Sequence, residues 1–138
     1  MKLLIVNGPN LNLLGTREPQ IYGNQTFVEY LEGLKSSFPE CEFDYVQSNV
    51  EGELINALQE STHQGVILNA GGYTHTSVAL RDCIAAIGIP VVEVHISNLA
   101  KREAFRHDSM ITAVCAGSIM GFGMDGYKLA VQSFCNKR

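Results

Sequence analysis

The segment LLIVNGPNLNLLGTREPQIYG (residues 3–23) joins a short apolar run to a long polar stretch. The apolar run predicts a strand over residues 3–7 that is buried on both faces, as in a parallel sheet. The polar stretch that follows lacks the spacing of apolar residues that is typical of a helix. It is also far longer than the connections that usually join two secondary-structure elements. Its polar side chains include Asn7, Asn10, Asn12, Arg17 and Tyr22. We therefore predict a functional loop directly after the first strand.

Outward from this segment, strand patterns alternate with helix patterns. Strands are predicted at residues 3–7, 42–47, 66–69, 91–96 and 112–116, and helices at residues 27–38, 50–58, 77–87, 101–105 and 127–134. Such alternation predicts an α/β fold, with a parallel sheet covered by helices on both faces. For a chain of 138 residues, we expect one catalytic domain over residues 1–138. The predicted fold is a flavodoxin-like, doubly wound, five-stranded parallel sheet of order 2-1-3-4-5.

Composition disfavours several classes of partner. The net charge is −4, charged residues make up 17% of the chain, and the ten basic residues are scattered, so we expect no nucleic-acid groove. The apolar runs are too short for a membrane span. Met1 leads directly into a strand without a signal-peptide pattern, which predicts a cytoplasmic protein.

No metal or cofactor site is expected. The four cysteines are far apart and form no CxxC pair, so we predict free buried thiols: Cys41, Cys83, Cys115 and Cys135. The histidines also lack metal-ligand spacing. The hexamer GFGMDG (residues 121–126) matches GxGxxG, but no second strand or acidic residue follows at the spacing of a dinucleotide site. We interpret it as a turn before the last helix.

Three polar motifs follow three predicted strands: NGPNLN, NAGGYTHT and HISN, after strands one, three and four. In open α/β sheets, ligands bind at the carboxyl ends of the strands where the strand order reverses. The predicted reversal lies between strands one and three. The motifs therefore predict a small-molecule site at this rim.

Two residue pairs within these motifs suggest acid–base chemistry. Glu93 and His95 point the same way in a regular strand, so the carboxylate can orient the imidazole, although a satisfied core histidine is the simpler explanation. Arg17 lies near Tyr22, and a guanidinium favours a phenolate. A tyrosine of ordinary pKa is about one-thousandth ionised at pH 7, a handicap of about 4 kcal/mol. Surface pairing and packing are the alternative explanation.

Other polar residues have structural alternatives. Asn10 and Asn12, taken individually, are more typical of residues that hold a loop backbone than of catalytic residues. His75 can equally cap the third helix. A flavodoxin-like binding or regulatory module without catalysis is the competing functional class.

Five motifs together resemble the type II 3-dehydroquinate dehydratases over nearly the full chain: NGPNLNLLGTREPQIYG (7–23), NAGGYTHTSVALRD (69–82), VVEVHISN (91–98), REAFRHDS (102–109) and GFGMDGY (121–127). The resemblance implies loss of water from 3-dehydroquinate to give 3-dehydroshikimate, by anti elimination through an enolate and without an imine. It implies that Tyr22 is the base, held as a phenolate by Arg17. His95, oriented by Glu93, would protonate the departing hydroxyl, and Asn10 would position a water at the enolate oxygen.

The resemblance also implies a substrate-binding set. The backbone N–H groups of Ile96 and Ser97 would take the carboxylate, and Asp82 would approach from a neighbouring subunit. Ring hydroxyls would be held by Asn69, His75 and Arg106. The implied assembly is a homo-oligomer of trimers grouped into a dodecamer. The step serves both aromatic amino acid biosynthesis in the shikimate pathway and quinate metabolism.

Overall fold

A computed structural model describes residues 1–16 and 24–136 of the chain. The strands are β1 (Lys2–Asn7), β2 (Glu42–Gln47), β3 (Gly65–Asn69), β4 (Val91–His95) and β5 (Gly117–Met120). Within the described residues, the α-helices are α1 (Phe27–Ser37), α2 (Glu51–Glu60), α3 (Val78–Ala86) and α4 (Asp125–Cys135). The strands form one parallel sheet in the order β2-β1-β3-β4-β5, which confirms the predicted fold.

Helices cover both faces of this sheet, and the central strand β1 is therefore buried on both sides. Leu3 and Ile5 pack with residues of α1 and α4, including Phe27 and Val131. Their neighbours Leu4 and Val6 point the other way and pack with α2 and α3. Successive side chains of a strand alternate between faces, so four apolar residues in a row supply both halves of the core. The continuous run that opens the sequence is thus the central strand.

Two of the four described α-helices begin at a side chain that caps the helix. Thr26 accepts a hydrogen bond from Glu29 N at 3.2 Å and begins α1, and Ser77 accepts one from Leu80 N at 2.9 Å and begins α3. These side chains satisfy N–H groups that lack a partner in the first turn. Ser77, and not His75, therefore caps the third helix. No helix among the described residues is both long and apolar enough to cross a membrane.

The predicted strand at residues 112–116 is wrong. Thr112–Val114 form a 3-10 turn, and the strand that pairs with β4 runs over Gly117–Met120. Ile111 is fully buried, and the Thr112 hydroxyl donates to Glu93, so these contacts hold the apolar segment as a turn. The ladder starts only where Ala116 N donates to Val91 O at 2.7 Å.

The predicted helix at residues 101–105 is also wrong. Two 3-10 turns, Leu99–Lys101 and Ala104–Arg106, replace it. Arg102 is extended at ψ −167° and Glu103 at ψ 147°, which separates the turns.

The cysteines are free, as predicted, but not all are buried. Cys41 and Cys83 are buried, Cys115 is half-buried and Cys135 is exposed. Cys135 is the last residue of α4, where the helix leaves the core.

Candidate active site

The carboxyl ends of β1, β3 and β4 open onto one cavity, as the three rim motifs predict. Seven of the predicted site residues line it: Asn10, Asn69, His75, His95, Ile96, Ser97 and Arg106. Glu93 contacts His95 from within the core. Asp82 is exposed on α3 and does not line this cavity. The rim thus gathers most of the predicted residues from four separate segments.

A close backbone approach brings the first two rim loops together. Gly8 N donates to Asn69 O at 2.7 Å. A Cβ atom at Gly8 would lie 2.5 Å from Ala70 O and 2.7 Å from Ala70 C. Because both are backbone atoms that side-chain movement does not relieve, only glycine fits. This contact places Asn10 and Asn69 on the same cavity.

Asn10 is held by a polar cluster from the end of β2. Its backbone is left-handed at φ 72°, a region that asparagine tolerates better than most residues. Asn10 N donates to Asn49 Oδ1 at 3.0 Å, and Gln47 Nε2 donates to Gly8 O at 3.1 Å. Tyr73 Oη donates to Asn49 O at 2.7 Å. The backbone of Asn10 is therefore structural, and its position at the wall leaves the side chain for a ligand.

Buried amides and phenols form the floor beneath the rim. Tyr127 Oη donates to Asn7 Oδ1 at 2.7 Å and accepts from Asn69 Nδ2 at 3.0 Å. Asn7 Nδ2 donates to Tyr45 Oη at 3.3 Å. Burial raises the pKa of Tyr127 and of Tyr45, which outweighs the hydrogen bonds from the amides. Both phenols therefore stay protonated and hold the floor together.

Asn69 is partly committed to this floor. Its Oδ1 accepts from Gly71 N at 3.2 Å, and one Nδ2 hydrogen goes to Tyr127. A primary amide has two N–H donors. Asn69 therefore brings one remaining amide hydrogen to a ligand in the cavity.

His95 and Glu93 form a buried pair at the end of β4. His95 Nε2 lies 2.6 Å from Glu93 Oε2, and the two residues are 5% and 0% exposed. The predicted alignment of alternate residues on one strand face is confirmed. Because Nε2 is engaged by the carboxylate, Nδ1 is the ring nitrogen that serves the cavity.

Hydroxyl groups donate hydrogen bonds to both oxygens of the Glu93 carboxylate. Thr112 Oγ1 donates to Glu93 Oε1 at 2.5 Å, and Ser109 Oγ donates to Oε2 at 3.3 Å. Burial raises the pKa of Glu93, but hydrogen bonds from His95, Thr112 and Ser118 outweigh it and bring the pKa below its ordinary value. The pair therefore holds an ionised carboxylate against the imidazole in the protein interior.

Cationic side chains line the wall beyond β4. Arg106 Nε lies 3.2 Å from Glu103 Oε2, and Arg102 Nη1 donates to Ser97 Oγ at 3.4 Å. Both arginines line the cavity, whereas Glu103 does not. Arg102 Nε also lies 3.6 Å from Glu103 Oε1. Among the described residues that line the cavity, the two arginines are the only permanently charged side chains, which suits an anionic ligand.

The GFGMDG hexamer directly follows β5 and contacts the residues at the end of β4. Gly121 and Gly123 have φ values of 94° and 60°, which favour glycine. Their N–H groups donate to His95 O and Ile96 O at 3.2 and 3.0 Å. Residues 121–124 form the turn, as predicted, and residues 125–126 begin α4. The two glycine N–H groups hold the carbonyl groups at the end of β4, where Ile96 and Ser97 line the cavity.

This fold and this rim match a family of known enzymes. The model of the Dehydroquinase class II family matches residues 1–135. The chain belongs to the class II dehydroquinase family.

Relatives and solved structures agree along nearly the whole chain. A 3-dehydroquinate dehydratase of an Exiguobacterium species is 54% identical over 135 residues, covering 96% of this chain and 93% of the relative. One from Chlorobaculum tepidum is 51% identical, covering 98% and 94%. The crystal structure of type II dehydroquinase from Butyrivibrio crossotus superposes with a TM-score of 0.93 at 43% identity, covering 99% and 98% of the two chains.

Two predicted residues of this class II dehydroquinase, Arg17 and Tyr22, lie outside the described residues. Sequence reasoning missed several supporting residues in the described part: Gln47, Asn49, Thr112 and Tyr127. The polar side chain at the end of an otherwise apolar strand marked Asn7 in the sequence. In contrast, the sequence around Tyr127 and Thr112 does not indicate which residues they contact.

Proposed function

We propose that this class II dehydroquinase removes water from 3-dehydroquinate to give 3-dehydroshikimate, by anti elimination through an enolate. The observation that carries the proposal is the buried His95–Glu93 pair, which lies at a rim cavity lined by Arg102 and Arg106. Relatives named 3-dehydroquinate dehydratase at about half identity support the choice of substrate.

Tyr22 is the proposed base, with Arg17 stabilising its phenolate. The support is that both residues fall in the polar segment that follows β1 in sequence, and that the two phenols beneath the cavity do not suit the role of base. Tyr127 is fully buried, its pKa is raised, and its hydroxyl is used by Asn7 and Asn69. Tyr45 is likewise engaged at the floor. Neither floor phenol suits proton abstraction from a ligand in the cavity.

His95 is the proposed acid for the departing hydroxyl. A proton on Nδ1 passes to the leaving oxygen, while Nε2 keeps its hydrogen bond to Glu93. The carboxylate stabilises the charged imidazole and fixes its orientation, as in other acid–base pairs. Asn10 is proposed to position a water that donates to the enolate oxygen.

Substrate binding uses the rest of the wall. The backbone N–H groups of Ile96 and Ser97 take the carboxylate, and the support is that both residues line the cavity. Ring hydroxyls are held by Asn69, His75 and Arg106. The ring of His75 is oriented by a 2.7 Å contact between Nδ1 and Asp108 O.

The proposed active unit is larger than one chain. Asp82 is exposed on α3 away from the cavity of its own chain, so it is proposed to serve a neighbouring subunit in a trimer-based dodecamer. The chain is proposed to act as a single catalytic domain in the cytoplasm, without a cofactor.

The direct test mixes the purified protein with 3-dehydroquinate and follows the ultraviolet absorbance of the conjugated product. A rise in absorbance is expected. A folded protein, checked by circular dichroism, that produces no rise rejects the proposal. Tight binding of a cyclic polyol acid without turnover would instead identify a binding module.

A further inference from the structure

Two cysteines that are 94 residues apart in sequence meet at the end of the sheet opposite the rim cavity. The Sγ atoms of Cys41 and Cys135 are 3.6 Å apart. Cys41 directly precedes β2 and is 8% exposed, and Cys135 is the exposed last residue of α4. The pair plays no part in the proposed dehydration.

The separation between the sulfur atoms distinguishes two uses of a cysteine pair. A disulfide requires about 2.05 Å between the sulfurs. Two thiolates on one tetrahedral zinc ion, with Zn–S bonds of about 2.3 Å, lie about 3.7 Å apart. The two thiols share a hydrogen bond at 3.6 Å, and this separation is already close to the second value.

A carboxylate completes a three-ligand set. An oxygen of Glu40 and the two Sγ atoms all lie within 4.8 Å of one another. Glu40 and Cys135 are exposed, so the cation has a path from solvent and a water can take the fourth position. Thiolates favour soft or borderline metals, whereas one carboxylate excludes neither zinc nor cadmium.

We propose that Glu40, Cys41 and Cys135 bind one thiophilic divalent cation, of the Zn²⁺ class. Binding replaces the protons of the two thiols, which pass to solvent, and involves no oxidation or reduction. This proposal departs from the prediction that the chain has no metal site. Sequence spacing cannot detect a site whose ligands lie 94 residues apart in the chain.

The site would act as a structural clamp. It joins the end of α4 to the start of the edge strand β2, two segments that are remote in sequence. A ligand that binds only the folded chain raises its stability by mass action. Added Zn²⁺ should therefore raise the midpoint of thermal unfolding.

The test titrates Cd²⁺ into reduced, untagged protein and follows the ultraviolet charge-transfer band of thiolate–cadmium bonds. One equivalent is expected to saturate the band, and Zn²⁺ should displace the Cd²⁺. Cys135→Ser should lose the band. Cys83→Ala is the matched control, because Cys83 is buried on α3, away from the proposed site, and this variant should keep the band. Glu40→Gln should weaken binding about tenfold, as loss of a supporting ligand does.

Several outcomes would overturn the proposal. They are the absence of a band in the unmodified protein, an unchanged band in Cys135→Ser, or no change of the unfolding midpoint with Zn²⁺. Oxidised glutathione provides a separate check by mass spectrometry. Loss of two hydrogens from a protein that binds no Cd²⁺ would identify a redox pair instead. None of these measurements depends on dehydratase activity, so failure here is distinct from failure of the proposed function.

Discussion

The Nε2 atom of His95 lies 2.6 Å from the Oε2 atom of Glu93, and both side chains are buried at the end of β4. Thr112 holds the opposite carboxylate oxygen. A buried carboxylate is costly unless it is hydrogen-bonded on several sides. The proposed role of His95 as the acid and the stability of the fold are therefore both expected to depend on Glu93.

Glu93 predicts a pH-dependent contribution to stability. Its pKa in the folded protein is below the ordinary value of 4.5, so the ionised side chain stabilises the fold fully above pH 4.5. The contribution is lost as the pH falls below that value toward the folded-state pKa. Glu93→Gln should lower the free energy of unfolding at pH 7 by about 1.5–3 kcal/mol, because it removes charged hydrogen bonds. Denaturant titrations of both proteins at pH 7 and pH 3 measure the effect. A difference that is equal at the two pH values would contradict it.

Thr112 is predicted to be a positioning residue for the acid. Thr112→Val removes the 2.5 Å hydrogen bond to Glu93 Oε1 and frees the carboxylate to turn. We expect kcat to fall about tenfold, equivalent to about 1.4 kcal/mol, with KM nearly unchanged. Thr112→Ser keeps the hydroxyl and should restore kcat. Equal losses in the two variants would show that the hydroxyl has no such role.

Tyr22 is predicted to be indispensable for turnover but not for folding. Tyr22→Phe should keep the circular dichroism spectrum and lose nearly all activity, since the base is removed. Tyr127→Phe is the matched variant. It leaves Asn7 Oδ1 without its 2.7 Å donor, so it should lower stability by about 1–3 kcal/mol and reduce turnover far less. Retained activity in Tyr22→Phe would exclude this residue as the base.

Gly8 is predicted to tolerate no side chain. In Gly8→Ala, the new Cβ would meet the Ala70 backbone at 2.5 Å and push the two rim loops apart. We expect a loss of about 1–3 kcal/mol of stability and a higher KM. Gly33→Ala is the control, since no atom lies within 4 Å of a Cβ in the middle of α1, and it should gain about 0.5–1 kcal/mol. The comparison fails if Gly8→Ala is as stable as the unmodified protein.

The reaction is predicted to proceed without an imine. The described lysines, none of which lines the rim cavity, are Lys2, Lys35, Lys101 and Lys128. Borohydride added together with 3-dehydroquinate should therefore leave activity intact. Inactivation that requires substrate, with a covalent adduct in the mass spectrum, would reverse this prediction.

The local pattern of apolar and polar residues was sufficient to predict most of the fold. The double-sided apolar run of β1, the alternation of strands and helices, and the alignment of Glu93 with His95 all follow from side-chain period. The wrong strand at residues 112–116 has a tertiary cause. Residues 112–116 have the composition of a strand, but the contact of Thr112 with Glu93 and the burial of Ile111 favour a turn.

By itself, the sequence determined the fold class, the sheet order and the rim at which the polar motifs converge. Only the tertiary structure decided which distant residues support them: Tyr127 meets Asn7 across 120 residues, and Cys135 meets Cys41 across 94. The reason is physical. Periodicity records which face of an element is buried, whereas a contact between remote segments depends on how whole elements pack. The long polar segment after β1 therefore predicted a functional loop from sequence alone, whereas the packing of the sheet decided which remote residues support its described part, such as Asn10.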